Sequence, residues 1–544
     1  MQRQENLAFT TASKMPQHRP PGSLKQQCIR NIGRNMDKLW AKDYVKNWHE
    51  QSKTLSFVLG PFEDLPGTVV ELLIEELVNT KRLRKHHLQI LLVYHLERFV
   101  LRKETDFEKA ITLLLSRCKN LRHLGLRSST LPHRLLTKVF VSLEHLQTVD
   151  LSQTNIADAT MATLGDNCRN IRVLNLSDSS ATDKAIAGLI YGHNPPPTVN
   201  PFETTALSRK LTHLNVYGSH VTANGVLSAL VYMPNLQELN HSELLASIAT
   251  LSSSDVDLRL FREYRNVAPT ENPTLNLRQL QCDEYGFHTS GMCCDASLIS
   301  LGVTMCPLIR SINFGDLISV RRDSLLPLLM LDEVDDLLLY FEEKEEVDFY
   351  EHIVPLLMKF GPALRKLQLR SVHRVNLKVV ACLCSELRVL RLVANSYYCD
   401  RNPGEALFSL SKVKPSFKHL KIVSINNEVG GNLHEHMKTQ IPADSIRLLL
   451  QSPCIEEISL IDQDTLTDDV LIASANETNF PRLKEVQFVV CNNITVTSIW
   501  ELMHLKNPMS TLRLIDCKQI TVNDYKDLIK YVKRNKFALE VTWS

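Results

Sequence analysis

Several groups of histidine, cysteine and carboxylate residues lie close enough in the sequence to suggest chemistry. Cys282, Cys293, Cys294 and His288 are thiol and imidazole donors of the kind that hold zinc, but zinc spacing calls for a second Cys-x-x-Cys pair, which is missing. His434-Glu435-His436 would put its two imidazoles on different faces of a helix, so a solvated surface is the expected role. Cys382-Leu383-Cys384 alternates sides, the pattern of packing rather than of a redox pair. The sequence holds no Gly-x-x-x-x-Gly-Lys phosphate loop and no Gly-x-Gly-x-x-Gly, Gly-x-Ser-x-Gly or His-Glu-x-x-His signature. The expectation is therefore a chain with no catalytic centre, no metal and no cofactor. The basic run Lys81-Arg82-Leu83-Arg84-Lys85-His86-His87 offers charge for nucleic acid or nuclear import, with a solvated helix end as the simpler reading.

Recognition chemistry is better represented. In Ser23-Leu24-Lys25-Gln26-Gln27-Cys28-Ile29-Arg30-Asn31-Ile32, Leu24, Cys28 and Ile32 recur every fourth residue and share one side of a helix that Ser23 can cap. A small thiol between two aliphatics makes a narrow stripe with a shallow notch, suited to a partner's groove. A second helix begins at Leu65-Pro66-Gly67-Thr68-Val69-Val70-Glu71-Leu72-Leu73, where proline can start it and Val69, Leu72 or Leu73, and Leu77 share a face. Residues 23–100 lack the period found downstream and read as a separate helical head, behind a leader, 1–22, expected to be disordered.

The positioning elements come from a repeat. Leu-x-x-Leu-x-Leu occurs at Leu121/Leu124/Leu126, Leu146/Val149/Leu151 and Ile171/Leu174/Leu176, at a constant period of about 25 residues. It returns at Leu211/Leu214/Val216, after an insertion near 191–210 that carries Pro195-Pro196-Pro197, and at Leu236/Leu239. Eight more copies run from Ile309/Ile312/Phe314 to Met509/Leu512/Leu514. Residues 240–305 fit poorly; they read as projecting loops, or as a diverged repeat around Leu277/Leu280/Cys282. The pattern resembles the cysteine-containing class of leucine-rich repeats. Cys118, Cys168, Cys306 and Cys454 precede a repeat's first apolar position, and Ala181-Thr182-Asp183 and Leu466-Thr467-Asp468 match the class's helix-capping segment. The resemblance implies an α/β solenoid over 101–544, each repeat a short strand followed by a helix, with stacked neighbours burying what one repeat cannot.

Composition sets the outer bounds. Lys plus Arg (62) nearly balances Asp plus Glu (60) in 544 residues, so no overall field draws the chain to nucleic acid or an anionic membrane. No apolar run reaches membrane-spanning length and the first 22 residues carry no signal-peptide pattern, so cytoplasm or nucleus is the expected location. Thirteen cysteines without a paired framework then read as buried apolar residues in a reducing compartment. On that expectation the sequons at Asn476 and Asn493 carry little weight.

The head adds a second resemblance. A small residue, Leu24, Cys28 and the aliphatic Ile32 match the BC-box, the helix by which substrate receptors engage Elongin C. Leu65-Pro66 and its helix resemble a Cullin-2 box, which in VHL-box receptors follows the BC-box by a few tens of residues; here Cys28 and Pro66 are 38 apart. The order BC-box, Cullin-2-type box, then leucine-rich repeats is similar to ZYG-type and related receptors of Elongin-based ubiquitin ligases. The resemblance implies Elongin C binding by Leu24, Cys28 and Ile32 and cullin binding by Leu65, Pro66, Val69 and Leu72. It implies a non-enzymatic receptor acting with Elongin B/C and Cullin-2. The armadillo-type domain of ZYG relatives is not matched, so their degron-binding residues are not carried over. Two alternatives stay open. The Leu-Pro start is also that of an F-box, although no Val-Cys-x-x-Trp-like ending follows Asn79, and the head can equally be the cap that any solenoid needs.

The repeat register names the surface left for a client. Residues beside the inward ones are mostly small and polar in early strands: His123, Gly125 and Arg127; Thr148, Asp150 and Ser152; Val173, Asn175 and Ser177; His213, Asn215 and Tyr217. Later strands present Lys366, Gln368, Arg370, Arg391, His419 and Lys421, a basic patch expected to hold an acidic or carboxylate-ended client segment. Solubility, or neutralisation by the acidic stretch Asp332–Glu351, is the competing role.

Overall fold

Every repeat starts with a strand whose alternate side chains go inward. In the computed structural model, which describes residues 24–42, 61–100, 108–194, 204–268, 273–282, 296–317, 325–341, 347–397, 415–427 and 440–544, two compact units can be told apart, one ending at Ile309 and one running Arg310–Ser544.

The first unit carries a six-stranded parallel sheet in sequence order: β1 (Arg98–Val100), β2 (His123–Gly125), β3 (Thr148–Asp150), β4 (Val173–Asn175), β5 (His213–Asn215) and β6 (Glu238–Asn240). Phe99, Leu124, Val149, Leu174, Leu214 and Leu239 stand in register across it, all buried. Strand β7 (Gln279–Cys282) closes this part of the chain.

In the second unit β8 (Ser311–Leu317), β9 (Asp336–Phe341), β10 (Lys366–Arg370), β11 (Val389–Val393), β12 (Ile422–Asn426), β13 (Glu457–Ile461), β14 (Glu485–Val489), β15 (Thr511–Ile515) and β16 (Glu540–Trp543) are parallel neighbours. These strands are longer, so two inward rows are buried, such as Leu367 and Leu369 beside Leu390 and Leu392.

Turns and caps repeat as faithfully as strands. Two residues past the second inward position the chain turns through positive φ, at Ser128, Gln153, Asp178 and Gly218, and again at Ser371, Ala394, Asp462, Val490 and Asp516. Valine is the costliest of these, since a β-branched residue at φ 52 crowds its own backbone. Val490→Asn is expected to raise the urea midpoint, by about 1 kcal/mol of stability. A lowered midpoint would mean that the half-buried side chain matters more than the strain.

Helices then begin on Thr182, Thr222, Thr467, Thr495 and Thr521, whose hydroxyls accept from the first-turn amides. Three of these threonines also donate to an aspartate one repeat back: Thr182 to Asp158 (3.1 Å), Thr222 to Asp183 (2.6 Å) and Thr495 to Asp468 (2.6 Å). The cap of one repeat is thus tied to the helix start of the previous one.

Cys118 and Cys168 are buried as expected and donate to carbonyls of the preceding repeat, Val93 (3.2 Å) and Phe140 (3.4 Å), and Cys306 is buried too, whereas Cys454 and Cys382 are half-buried and Cys28 is exposed. A second ladder position emerges only in the structure. Asn395, Cys491 and Cys517, three residues past the last inward strand residue, donate to Leu369, Leu460 and Phe488 carbonyls one repeat back.

The expected boundaries move in two places. Leu96 and Phe99 stand one period before Leu121 and Leu124, and β1 joins the sheet, so the first repeat strand lies inside the stretch assigned to the head. The described residues within 240–305 are more regular than projecting loops: the helices Leu244–Ser253, Asp255–Arg265 and Ala296–Met305 flank β7, with Leu277 and Leu280 buried. Burial of apolar side chains at repeat positions holds these described segments, although their spacing has drifted from the period. Near 191–210 the helix Ala206–Lys210 is described, and the leader 1–22 and Ser23 lie outside the described residues.

Candidate functional site

Helix α1 (Leu24–Arg34) has two unlike sides. Ile29 is 6% exposed, Gly33 is buried and, in the wide turn Met36–Trp40 that follows, Met36 is buried; Leu24 is 78% exposed, Cys28 is exposed and Ile32 is half-buried. The inward side meets α2 (Gly67–Asn79), where a Cβ on Gly33 would stand 3.4 Å from Glu76 Cγ and 3.8 Å from Leu77 Cδ2. Packing therefore uses the Ile29 side and leaves the Leu24–Cys28 stripe to solvent.

Helix α2 buries Val70, Leu73, Ile74 and Leu77. Of the expected face, Val69, Leu72 or Leu73, and Leu77, the structure buries Leu73 and Leu77, while Val69 and Leu72 remain half-buried at its margin. Leu65 is half-buried and Pro66 exposed. His95 Nε2 donates to the Leu65 carbonyl (2.6 Å), and a Cβ at Gly67 would meet the His95 carbonyl at 2.7 Å, so Leu65-Pro66-Gly67 is fitted to the turn before β1. Glu71 accepts from the amides of Glu97 (3.3 Å) and Arg98 (3.0 Å) at β1. Between α1 and α2 runs an open groove of about 370 Å³, with Ile29 and Leu72 among Lys25, Arg30, Glu75 and Asn79.

Helix α3 (Lys85–Leu91) pins the end of α1. Asp37 Oδ1 accepts from His86 Nε2 (2.8 Å) and His87 Nε2 (2.7 Å), and Arg84 lies 3.5 Å from Oδ2. These are the only three described residues grouped as metal ligands would be. Arg84 N–H, however, donates to His87 Nδ1 (3.2 Å), so the His87 proton sits on Nε2, the atom a metal would need. The arrangement is a clasp. The basic run Lys81–His87 thus contributes imidazoles to an internal contact, a role invisible in sequence because Asp37 is 49 and 50 residues away.

Burial pushes the His87 imidazole down; burial also works to raise the Asp37 carboxyl, but the His86 and His87 hydrogen bonds and the Arg84 charge outweigh it and hold it low. A histidine kept neutral by burial contributes stability that is present above its unfolded value, about 6.5, and is lost as pH falls through its lower folded value. Asp37 acts in the same direction at lower pH, since a depressed carboxyl loses its contribution as pH falls through the folded value. His87→Phe is expected to lower the thermal midpoint at pH 7.5 and to flatten its fall between pH 6.5 and 5. An unchanged slope would assign the acid sensitivity elsewhere.

Among the described residues one group approaches a catalytic arrangement. His193 Nδ1 lies 2.6 Å from Asp166 Oδ2, and its Nε2 lies 3.5 Å from Thr163 Oγ1. The Thr163 hydroxyl donates to the Ala159 carbonyl (3.1 Å) and the residue is buried, so its proton is committed to the helix. Cys384 is buried and its thiol is pushed up to about 12, which keeps it from forming a thiolate. Of the imagined zinc group only Cys282 is described; His288, Cys293, Cys294 and the His434–His436 run lie outside the described residues.

The basic patch is partly neutralised from within. Lys366 is exposed but pairs with Asp336 (2.8 Å), and Lys421 reaches Glu456 (3.2 Å), which Lys484 also holds. His419 lies 3.9 Å from Glu386. Arg370 is half-buried at the end of β10, opposite Val393, and Arg391 is exposed on β11, opposite Gln368 and Ser424.

No family model matches the chain, and no curated protein sequence is similar to it. Solved structures share the repeat architecture at low identity. Rad7, in the crystal structure of the Rad7 and Elc1 complex of yeast, is 15% identical over 92% of this chain and 95% of the other, with a TM-score of 0.43. A leucine-rich-repeat protein of Leptospira interrogans is 13% identical over 82% and 95% (TM-score 0.35), and an internalin of Listeria monocytogenes 14% over 84% and 98% (TM-score 0.34). The chain has an α/β leucine-rich-repeat-like fold with N-terminal helices, and among the described residues no helix is long and apolar enough to cross a membrane.

Proposed function

We propose that the chain is the non-catalytic client-binding subunit of an Elongin BC–Cullin-2 type ubiquitin ligase. Leu24, Cys28 and Ile32 enter Elongin C, the margin of α2 with Leu65, Pro66, Val69 and Leu72 faces the cullin, and the repeats hold a client through Lys366, Arg370, Arg391 and Lys421. Ubiquitin transfer is then a matter of proximity, an effective concentration set by the scaffold. The observation that carries this reading is the division of α1: its packing needs are met by Ile29 and Gly33, yet Leu24 and Cys28 stay outside. A helix that only capped the repeats would have no need of that stripe.

Co-purification with Elongin B and Elongin C tests it. The wild-type chain is expected to form a stoichiometric complex that the variant carrying Leu24→Ser and Cys28→Phe loses. Failure of the wild type to bind would leave a Skp-binding head or a plain scaffold, and Skp binding would be measured next.

A further inference from the structure

Along the second unit, bases are repeatedly matched by an acid of a neighbouring repeat, as Arg310 is by Glu333, Arg365 by Asp335 and Arg447 by Glu477. The helix Val522–Arg534 is different. Lys526, Lys530, Lys533 and Arg534, with Lys536 just beyond the helix, are all exposed, and none of the five is paired with a described acid. At about 100° per residue, Lys526, Lys530 and Lys533 fall within about 60° of one another around the axis and Arg534 about 40° further, on the side away from the buried Leu528 and Val532. Of the acids on this helix, Asp524 accepts from the Thr521 amide (2.8 Å) and hydroxyl (2.7 Å), and the exposed Asp527 stands at the margin beyond Arg534. Lys533 and Arg534 sit in the last turn, where cations offset the helix's own dipole; Lys526 and Lys530 lie before it, so the row exceeds what the helix needs.

The surroundings decide what kind of anion fits. The row is one helix wide. The helix Val496–His504, which meets it through Trp500 and Tyr531 (5.1 Å between ring centres), exposes Glu501, and the helix Asp468–Thr478 exposes Asp469. A broad anionic surface such as a bilayer would meet those acids as well as the bases. A nucleic-acid strand would want rings on which to stack its bases, but Trp500 is stacked on His504 and edge-on to Tyr531, and Tyr525 is stacked on Trp543. A narrow acidic segment of protein answers both conditions.

Spacing and direction narrow it further. From Lys526 to Lys530 and on to Lys533 the rise is about 6.0 and then about 4.5 Å. A second helix running antiparallel, with acids at i, i+3 and i+7, repeats those steps. An extended segment, with one side chain per ~6.6 Å on each side, is about 2.7 Å out of step by the third. The bases are densest at the C-terminal end, with Lys533, Arg534 and Lys536. Acids are most stabilising in a helix's first turn, and opposed helix dipoles attract, so both preferences favour the antiparallel run.

We propose that the outer face of the helix Val522–Arg534 docks an acidic helix of a partner protein, antiparallel, with its first turn over Lys533, Arg534 and Lys536 and its later acids over Lys530 and Lys526. The near balance of charge in the whole chain does not oppose this, because the field of such a row is felt within about 10 Å at ordinary salt. The surface is separate from the stripe of α1 and from the basic patch on the strands, and the inference is independent of which ligase, if any, the head engages.

Fluorescence anisotropy tests it, using the full-length chain and a labelled helical peptide of about 16 residues with acids at i, i+3 and i+7 on one side. The wild-type chain is expected to bind this peptide at least about fivefold more tightly than one of the same composition with its acids spread around the helix, and more weakly as salt rises. The chain carrying Lys526→Glu, Lys530→Glu and Lys533→Glu is expected to lose at least about tenfold in affinity with its thermal midpoint unchanged; Gln at the same positions repeats the test where the midpoint falls. A photo-crosslinker on the peptide's first residue is expected to mark residues 533–536. Equal binding of the two peptides, indifference to the charge reversal, crosslinks at the Val522 end, or tighter binding of an oligothymidylate or of phosphatidylserine vesicles would overturn the proposal. The Leu24→Ser, Cys28→Phe chain is expected to bind the peptide as the wild type does, so loss of Elongin binding and loss of the acidic helix are read separately.

Discussion

Cys28→Phe is expected to abolish capture of Elongin C while leaving the thermal midpoint of the chain unchanged, and Ile29→Asp, one residue along, to unfold the head. The two side chains leave α1 in different directions. Cys28 is exposed, so a larger ring there disturbs nothing in the free chain but blocks the notch between Leu24 and Ile32. Filling the centre of a narrow docking stripe removes its best-packed contact, and losses at such positions commonly exceed about 2 kcal/mol, roughly thirtyfold in affinity. Ile29 is buried beside α2, where desolvating a carboxylate costs at least about 2 kcal/mol and its apolar packing is lost. Calorimetric titration with Elongin BC and thermal unfolding of both variants separate the outcomes. Equal binding by Cys28→Phe and wild type would remove the stripe from the interface.

Gly165→Ala is expected to destabilise the first unit, against the usual benefit of alanine in a helix. Gly165 sits within the helix Asp158–Asn167, where a glycine costs about 1 kcal/mol relative to alanine. A Cβ there would lie 2.5 Å from the Gly188 carbonyl and 3.1 Å from that of Leu189, both backbone atoms of the neighbouring helix Asp183–Tyr191. Gly188 answers it, its own Cβ position being 2.8 Å from the Ala162 amide nitrogen. Two helices this close cannot separate without opening the repeat stack. The net loss is expected at about 1–3 kcal/mol for alanine and more for valine, read from urea unfolding. A stabilised Gly165→Ala chain would mean that the helices part freely.

How far the sequence reached can be judged from particular residues. The even spacing of Leu121, Leu146 and Ile171 placed β2, β3 and β4 because each strand needs the same inward side chains. Phe99 hid β1, since an aromatic stood where an aliphatic was sought, and counting one period back from Leu124 would have found it. The drifted spacing over 240–305 concealed helices that burial alone reveals. In the head, the period of Leu24, Cys28 and Ile32 gave the stripe, but only packing shows that Ile29 and Gly33 take the inward side. The phase of α2 stays open between Leu72 and Leu73 in the sequence because Val69, Val70, Leu72 and Leu73 are all apolar, and only packing selects Val70 and Leu73. The Asp37–His86–His87 clasp joins residues 49 and 50 apart, which no local spacing encodes, whereas the pairing of Lys366 with Asp336 falls within the neutralisation by Asp332–Glu351 that the sequence offered as the competing role. The ladder at Asn395, Cys491 and Cys517 shares an offset from its strands, but an amide and two thiols fill it, and only the structure shows the carbonyl each one reaches.

Hydrogen exchange of the full chain, with and without Elongin BC, is the measurement that bears most directly on the head. Slowed exchange over Leu24–Arg34, with the strands of the repeats unchanged, is the expected result. Unaltered exchange there, or protection found only in the repeats, would contradict the assignment of α1 as the docking helix.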